Sequence, residues 1–271
     1  MEGFNVKLAF LYAGQGAQHV GMGRDLYEIY PAFRQVLDSA PVDFDLKKLC
    51  FDGPEDQLND TRYTQPCMVA FAAGVTALLR EAGITAGLSL GEYSALQCAG
   101  VFDAKTAISL VAFRGQAMAD AVQGRPCGMA AVLGMDRDAL KAVCSEASDA
   151  GVVECTNFHT SLMAPAGDAL REKFQSVDFG AMEIPVLFNC LGDLKGEADT
   201  IPNLLEQQVQ SSVYLEDTIR RLGELGVDTV VEIGPGRTLS GFVKKTVKGI
   251  KCYPVETAEE LQAAIAALRG E

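Results

Sequence analysis

Along the chain, short runs of consecutive apolar residues alternate with longer segments whose apolar positions recur every three or four residues. The first run, Lys7 to Tyr12, ends in Ala13-Gly14-Gln15-Gly16-Ala17-Gln18 and reads as a buried strand feeding a glycine-containing turn. Between Pro66 and Glu81, Met68, Val69, Phe71, Ala72, Val75, Leu78 and Leu79 fall at helical spacing and predict a largely buried helix. Ile84 to Leu88 reads as the next strand, which breaks at Ser89 into a helix running from about Gly91 to Cys98. Asp103 is placed to cap a further helix with Ile108, Val111, Ala112 and Met118 on its apolar face.

Gly124 and Pro126 interrupt this pattern and introduce a small unit: a strand from Met129 to Leu133, a helix capped by Asp136, and a strand from Val152 to Cys155. After His159 the alternation resumes. A helix over about Ser161 to Ser176 is followed by a strand from Pro185 to Asn189 and by helices around Asn203 to Gln210 and Val213 to Leu225. A strand from Thr229 to Ile233 then leads into the Gly234-Pro235-Gly236 turn and further helix. Apolar strands alternating with helices predict an α/β fold, a parallel sheet flanked by helices on both faces.

Composition narrows the class. With 48% hydrophobic and 22% charged residues over 271 positions, the chain is an ordinary globular protein with enough length for a sizeable core. Its 23 basic and 36 acidic side chains give a formal charge of −13, which argues against nucleic-acid or anionic-membrane binding. The eight cysteines lack any C-x-x-C pair, and only His19 and His159 could join them, so no metal site is expected and buried free thiols in a reducing cytoplasm fit best. The apolar stretch Leu8 to Ala13 is too short for a signal-peptide core, and no run approaches the ~20 residues of a membrane span.

Gly87-Leu88-Ser89-Leu90-Gly91 matches G-x-S-x-G between an expected strand and an expected helix. Such a sharp turn leaves no room for side chains beside the serine and exposes its hydroxyl at a helix N-terminus. There the helix dipole and free N–H groups, that of Leu90 included, can stabilise an oxyanion. The plain alternative is a tight glycine turn with an incidental serine. A serine nucleophile needs a general base, and His159, after a strand end, is better placed than His19. Arg114 lies among Val111, Ala112, Phe113 and Met118, where a guanidinium calls for a bidentate carboxylate partner; snorkelling to solvent or pairing with a protein acid is the alternative.

Five blocks in order resemble malonyl-CoA:acyl carrier protein transacylases and the acyltransferase domains of fatty acid and polyketide synthases. They are Gly14-Gln15-Gly16-Ala17-Gln18, Thr64-Gln65-Pro66, Gly87-Leu88-Ser89-Leu90-Gly91-Glu92-Tyr93-Ser94-Ala95, Phe113-Arg114-Gly115 and Phe158-His159-Thr160-Ser161-Leu162-Met163, with Gly234-Pro235-Gly236 as a sixth. The resemblance implies a hydrolase-like parallel sheet with a small ferredoxin-like subdomain, Ser89 as acylated nucleophile and His159 as its base. It implies an oxyanion hole from the N–H groups of Gln15 and Leu90, and Arg114, Gln65 and Phe158 as substrate-binding residues. Asn189 and Gln208 look like the family's histidine-orienting positions. Malonyl-CoA would be the donor and an acyl carrier protein the acceptor, with no metal and no tightly bound cofactor.

Two features depart from the family. Leu88 stands before the nucleophile where histidine is usual, which is expected to tune the pocket. The interval from Ser89 to His159 shows only half of the usual small subdomain, short by on the order of 30 residues. The expected organisation is therefore a large domain over 1–124 and 159–271 and a truncated subdomain over 125–158, whose uncovered edge could be relieved by self-association or by a partner. Arg237, Lys244, Lys245, Lys248 and Lys251 form a basic island in an acidic chain, a candidate docking surface for an acidic carrier protein or simply a solvated helix face. An acyl-thioester hydrolase and a non-catalytic binding or scaffold subunit are the rival readings.

Overall fold

The structure, a computed structural model, describes residues 8–79, 83–124, 132, 135–148 and 159–270. In chain order the elements are β1 (Leu8–Tyr12), α1 (Arg24–Ile29), α2 (Pro31–Asp38), α3 (Leu46–Asp52), α4 (Glu55–Leu58), α5 (Thr61–Thr76), β2 (Ile84–Gly87), α6 (Gly91–Cys98) and α7 (Ala104–Ala121). They continue with α8 (Arg137–Ala147), α9 (Ala164–Phe174), β3 (Val186–Phe188), β4 (Asp193–Leu194), α10 (Ile201–Gln208), α11 (Leu215–Glu224), β5 (Thr229–Ile233), α12 (Thr238–Thr246), β6 (Lys251–Val255) and α13 (Ala258–Arg269). The strands form one sheet in the order β4-β3-β2-β1-β5-β6. Every pairing is parallel except that of the edge strand β4, which runs antiparallel to β3.

The sheet separates two apolar layers, as the two-residue period of a strand requires. Phe10, Tyr12, Val231 and Ile233 face a core with Val69 of α5, Leu96 of α6 and Val111 of α7. Ala9, Leu11 and Val230 face the opposite way, against Ile219 and Leu222 of α11 and Leu239 and Val243 of α12. A sheet covered on both sides explains why β1 and β3 are apolar throughout. Its parallel direction places the turns after β1, β2, β3 and β5 at one carboxyl edge, the usual position of a ligand crevice in such folds. Gln15, Ser89, Asn189 and the Gly234-Pro235-Gly236 turn all follow those strand ends.

Some expected boundaries shift. The helix expected over 66–81 runs from Thr61 to Thr76, because the Asp60 carboxylate caps it by accepting the Arg62 N–H at 3.0 Å. Pro66 then lies inside the helix, where its missing N–H removes one hydrogen bond. The helix expected over 161–176 starts as a 3₁₀ turn, Ser161–Met163, capped by Thr160, and only then becomes α9. The apolar pattern did not point to α1–α4 or to β4. Asp136 caps α8 through the N–H groups of Asp138 and Ala139, as expected. The strands expected over 129–133 and 152–155 lie outside the described residues, apart from Val132. Of the free cysteines described, Cys50 and Cys67 are buried, whereas Cys98, Cys144, Cys190 and Cys252 are only half-buried. No helix among the described residues is long and apolar enough to cross a membrane.

Candidate active site

Ser89 occupies the turn between β2 and α6 with φ at +51°, the left-handed region that non-glycine residues rarely enter. The chain closes on itself at this point. A Cβ at Gly87 would meet the carbonyl carbon of Gly91 at 2.0 Å, and one at Gly91 would meet the Tyr12 oxygen at 2.3 Å. Both contacts are to backbone, which cannot move aside, so the two glycines are steric requirements of the turn. The Leu88 N–H donates to the Tyr12 carbonyl at 3.0 Å and ties the turn to the end of β1. The Leu88 side chain is half-buried against the layer formed by Ala9, Leu11 and Ala86.

Ser89 Oγ donates to His159 Nε2 over 2.5 Å. The opposite ring nitrogen, Nδ1, is held by the Gln208 backbone carbonyl. A carbonyl only accepts, so the proton resides on Nδ1 and Nε2 is left as the acceptor for the serine proton, the tautomer a general base requires. His159 is 2% exposed. Burial, reinforced by the nearby Arg114 charge and opposed by the Gln208 carbonyl, pushes its pKa down to about 4, so the ring is neutral near pH 7.

Arg114 projects from α7 into the interior and is 1% exposed. Its Nη1 donates to Gln65 Oε1 at 2.9 Å and its Nη2 to Gln208 Oε1 at 3.0 Å, while its guanidinium carbon lies 5.6 Å from the centre of the Tyr93 ring. Among the described residues no carboxylate forms an ion pair with it, so it neither snorkels nor pairs with a protein acid. Neutral amides orient the guanidinium without cancelling its charge. Gln208 joins the two halves of the site: its carbonyl holds His159, its Oε1 holds Arg114 and its Nε2 donates to the Ser89 carbonyl at 2.7 Å.

The remaining expected residues divide. Gln15 is exposed in the turn after β1 and its side chain donates to Thr61 Oγ1 at 2.7 Å. Leu90 begins α6 with its side chain buried. Phe158 lies outside the described residues. Asn189, expected beside the histidine, instead serves the turn: its Oδ1 accepts the Ser89 N–H at 2.7 Å and its Nδ2 donates to the Gly87 carbonyl at 2.8 Å. The physical reason is its place directly after β3, the strand beside β2.

Sequence reasoning passed over Glu92 and Tyr93, both wholly buried. Both stand in the block that carries the family resemblance, but nothing in the sequence alone marked their burial. Glu92 Oε2 accepts from both the backbone N–H and Nδ2 of Asn189 at 2.5 Å, and its Oε1 has no partner among the described residues. Burial pushes the Glu92 carboxyl up to about 7, against the pull of those two hydrogen bonds and of Arg114. The Tyr93 phenol is pushed well above its ordinary value by burial.

Residues 9–153 match the acyl transferase domain family. The malonyl CoA-acyl carrier protein transacylase of Bacillus subtilis is 35% identical over an alignment covering 98% of this chain and 98% of its own, and that of Escherichia coli strain K12 is 30% identical over 96% and 99%. The Bacillus alignment spans 311 positions against a chain of 271, so that relative carries residues with no counterpart here. Among solved structures, the transacylase of Clostridium perfringens superposes with a TM-score of 0.93 at 32% identity, covering 98% of each chain. A malonyl-transacylase solved with a type II polyketide acyl-carrier protein superposes at 0.89 with 30% identity, covering 98% of this chain and 100% of that one.

Proposed function

The chain belongs to the acyl transferase family, among the malonyl CoA-acyl carrier protein transacylases, and on that premise we propose that it transfers a malonyl group from malonyl-CoA to the phosphopantetheine thiol of an acyl carrier protein. The observation that carries this reading is the 2.5 Å Ser89–His159 hydrogen bond beside a buried arginine whose hydrogen-bond partners are neutral.

Ser89 Oγ attacks the thioester carbonyl as its proton passes to His159 Nε2. The oxyanion that develops is received by the backbone N–H groups of Gln15 and Leu90. As the tetrahedral species collapses, the C–S bond breaks and coenzyme A leaves with the proton from His159. The malonyl ester stays on Ser89 with its free carboxylate against Arg114, and Gln65 and Phe158 complete the acyl site. In the second half, His159 takes the proton of the carrier thiol, the sulfur attacks the ester and Ser89 Oγ recovers its proton. An acyl group without a carboxylate leaves Arg114 unpaired in a buried recess, a penalty of about 2–5 kcal/mol that selects malonyl over neutral groups.

In this reading the residues absent relative to the family fall within 125–158, the small subdomain. The carrier docks near Arg237, Lys244, Lys245, Lys248 and Lys251, all exposed. Intact-protein mass spectrometry after mixing with malonyl-CoA tests the reading, with Ser89→Ala in parallel. The expected result is a malonyl-sized gain on the parent only, discharged by an acyl carrier protein bearing its thiol. Release of coenzyme A with malonate appearing at the same rate with or without carrier points to hydrolysis. Neither gain nor release points to a binding subunit.

A further inference from the structure

The hydrogen bonds around Ser89 run past the catalytic pair to a buried carboxylate, that of Glu92. Asn189 presents Oδ1 to the Ser89 N–H, and this orientation is set by what its Nδ2 meets, namely the Gly87 carbonyl and Glu92 Oε2. A flipped amide would set donor against donor at Ser89 and acceptor against acceptor at Glu92. Glu92 also receives the Asn189 backbone N–H, so one carboxylate oxygen holds both the main chain and the side chain of the residue that grips the nucleophile.

We propose that Glu92 is a positioning residue for Ser89, acting through Asn189 to hold the strained turn in the geometry of attack. Ser89 sits at φ +51°, a conformation that persists only where its surroundings over-determine it. The glycine contacts on either side permit that backbone, and the Glu92–Asn189–Ser89 chain selects it. The role rests on the acyl-transfer reading above and differs from that of Arg114, because it acts on the nucleophile whatever acyl group arrives.

Charge makes the role measurable. The titratable and charged groups around Glu92 are Arg114 from α7, Tyr93 on its own helix and Cys190 after β3. Tyr93 and Cys190 are neutral near pH 7, the latter pushed up to about 12 by burial, and Arg114 stays cationic. Glu92, raised to about 7, is the group of this set that changes charge there. Below that pH it is a neutral acid with weakened acceptor strength; above it, an anion that grips both Asn189 donors. Ser89 acylation therefore rises with pH through about 7, whereas the His159 limb lies near 4.

The test is single-turnover acylation of the intact enzyme by malonyl-CoA and by a neutral acyl-CoA, followed by mass from pH 5 to 9. The parent is expected to show a limb near 7. Glu92→Gln, which retains an acceptor and loses the charge, is expected to remove that limb and lower the acylation rate constant for both donors on the order of tenfold to a hundredfold, with KM unchanged. Asn189→Ala is expected to do the same, and serves should Glu92→Gln fold poorly. A parent that acylates without a limb near 7, or variants that keep the limb or raise KM for malonyl-CoA alone, overturn the positioning role. A parent that does not acylate overturns the functional reading and this role with it.

Discussion

At the Ser89 turn the steric demand is local, set by two glycines within five residues of sequence and by the neighbouring end of β1. At Arg114, by contrast, the guanidinium is held by side chains from α5 and α10, Gln65 and Gln208, brought together from 49 and 94 positions away. The first region requires glycine because a Cβ at Gly87 or Gly91 would lie 2.0 or 2.3 Å from backbone atoms. The second is assembled by packing, and its hydrogen-bond partners are amides, which orient a charge without neutralising it. The lesson is a division of labour: local sterics set the backbone of the turn, and long-range packing sets what its hydroxyl and the Arg114 charge meet.

The division can be broken most decisively at Arg114. Arg114→Ala is expected to lower malonyl transfer on the order of a thousandfold while transfer of a neutral acyl group falls far less, as loss of a buried bidentate charge pair implies. Equal losses in kcat/KM for both donors would show that the recess also shapes the nucleophile. Gly87→Ala attacks the other side and should destabilise by about 3 kcal/mol or more, with labelling of Ser89 by a serine-reactive phosphonate lost in whatever folds. Thermal unfolding near the parent Tm with normal labelling would mean that the turn tolerates a side chain after all.

A finer probe keeps the number of heavy atoms and changes one charge. Gln65→Glu sets a carboxylate against Arg114, so KM for malonyl-CoA should rise about tenfold while the rate with a neutral donor holds, because the guanidinium is now partly compensated. Unchanged malonyl KM sinks the idea that neutral partners matter. The smallest effect belongs outside both regions. Lys244→Glu combined with Lys245→Glu should raise the apparent KM for the carrier a few-fold at low salt, leaving Ser89 acylation intact. No salt-dependent change there returns the island to a solvated helix end.

Much of the turn was legible before any coordinates. The strand, Gly87, Ser89, Gly91 and the helix that follows are contiguous, and the steric demand that requires those glycines is local. The Asp103 and Asp136 caps were legible for the same reason. The helices α1–α4 were not: they are short, and their apolar residues gain meaning only against Phe71 and the rest of the core. Glu92 was passed over because a carboxylate in sequence says nothing of its burial. Asn189 was recognised as a site residue, yet its partner could be read only where β3 lies beside β2.

By itself the sequence determined which chemical groups exist and which local turns and caps can form: one serine at a glycine-flanked strand-to-helix turn, two histidines and an arginine among apolar neighbours. Those follow from sterics and hydrogen bonding within a few residues. Only the tertiary structure decided that His159 meets Ser89, that its proton resides on the nitrogen facing Gln208, and that Arg114 takes the amides of Gln65 and Gln208 as hydrogen-bond partners. It also decided that Glu92 titrates near 7 instead of at an ordinary carboxylate value. These are matters of distance and burial between residues far apart in sequence, and the energy of a charge depends on the surroundings that only the packed chain supplies.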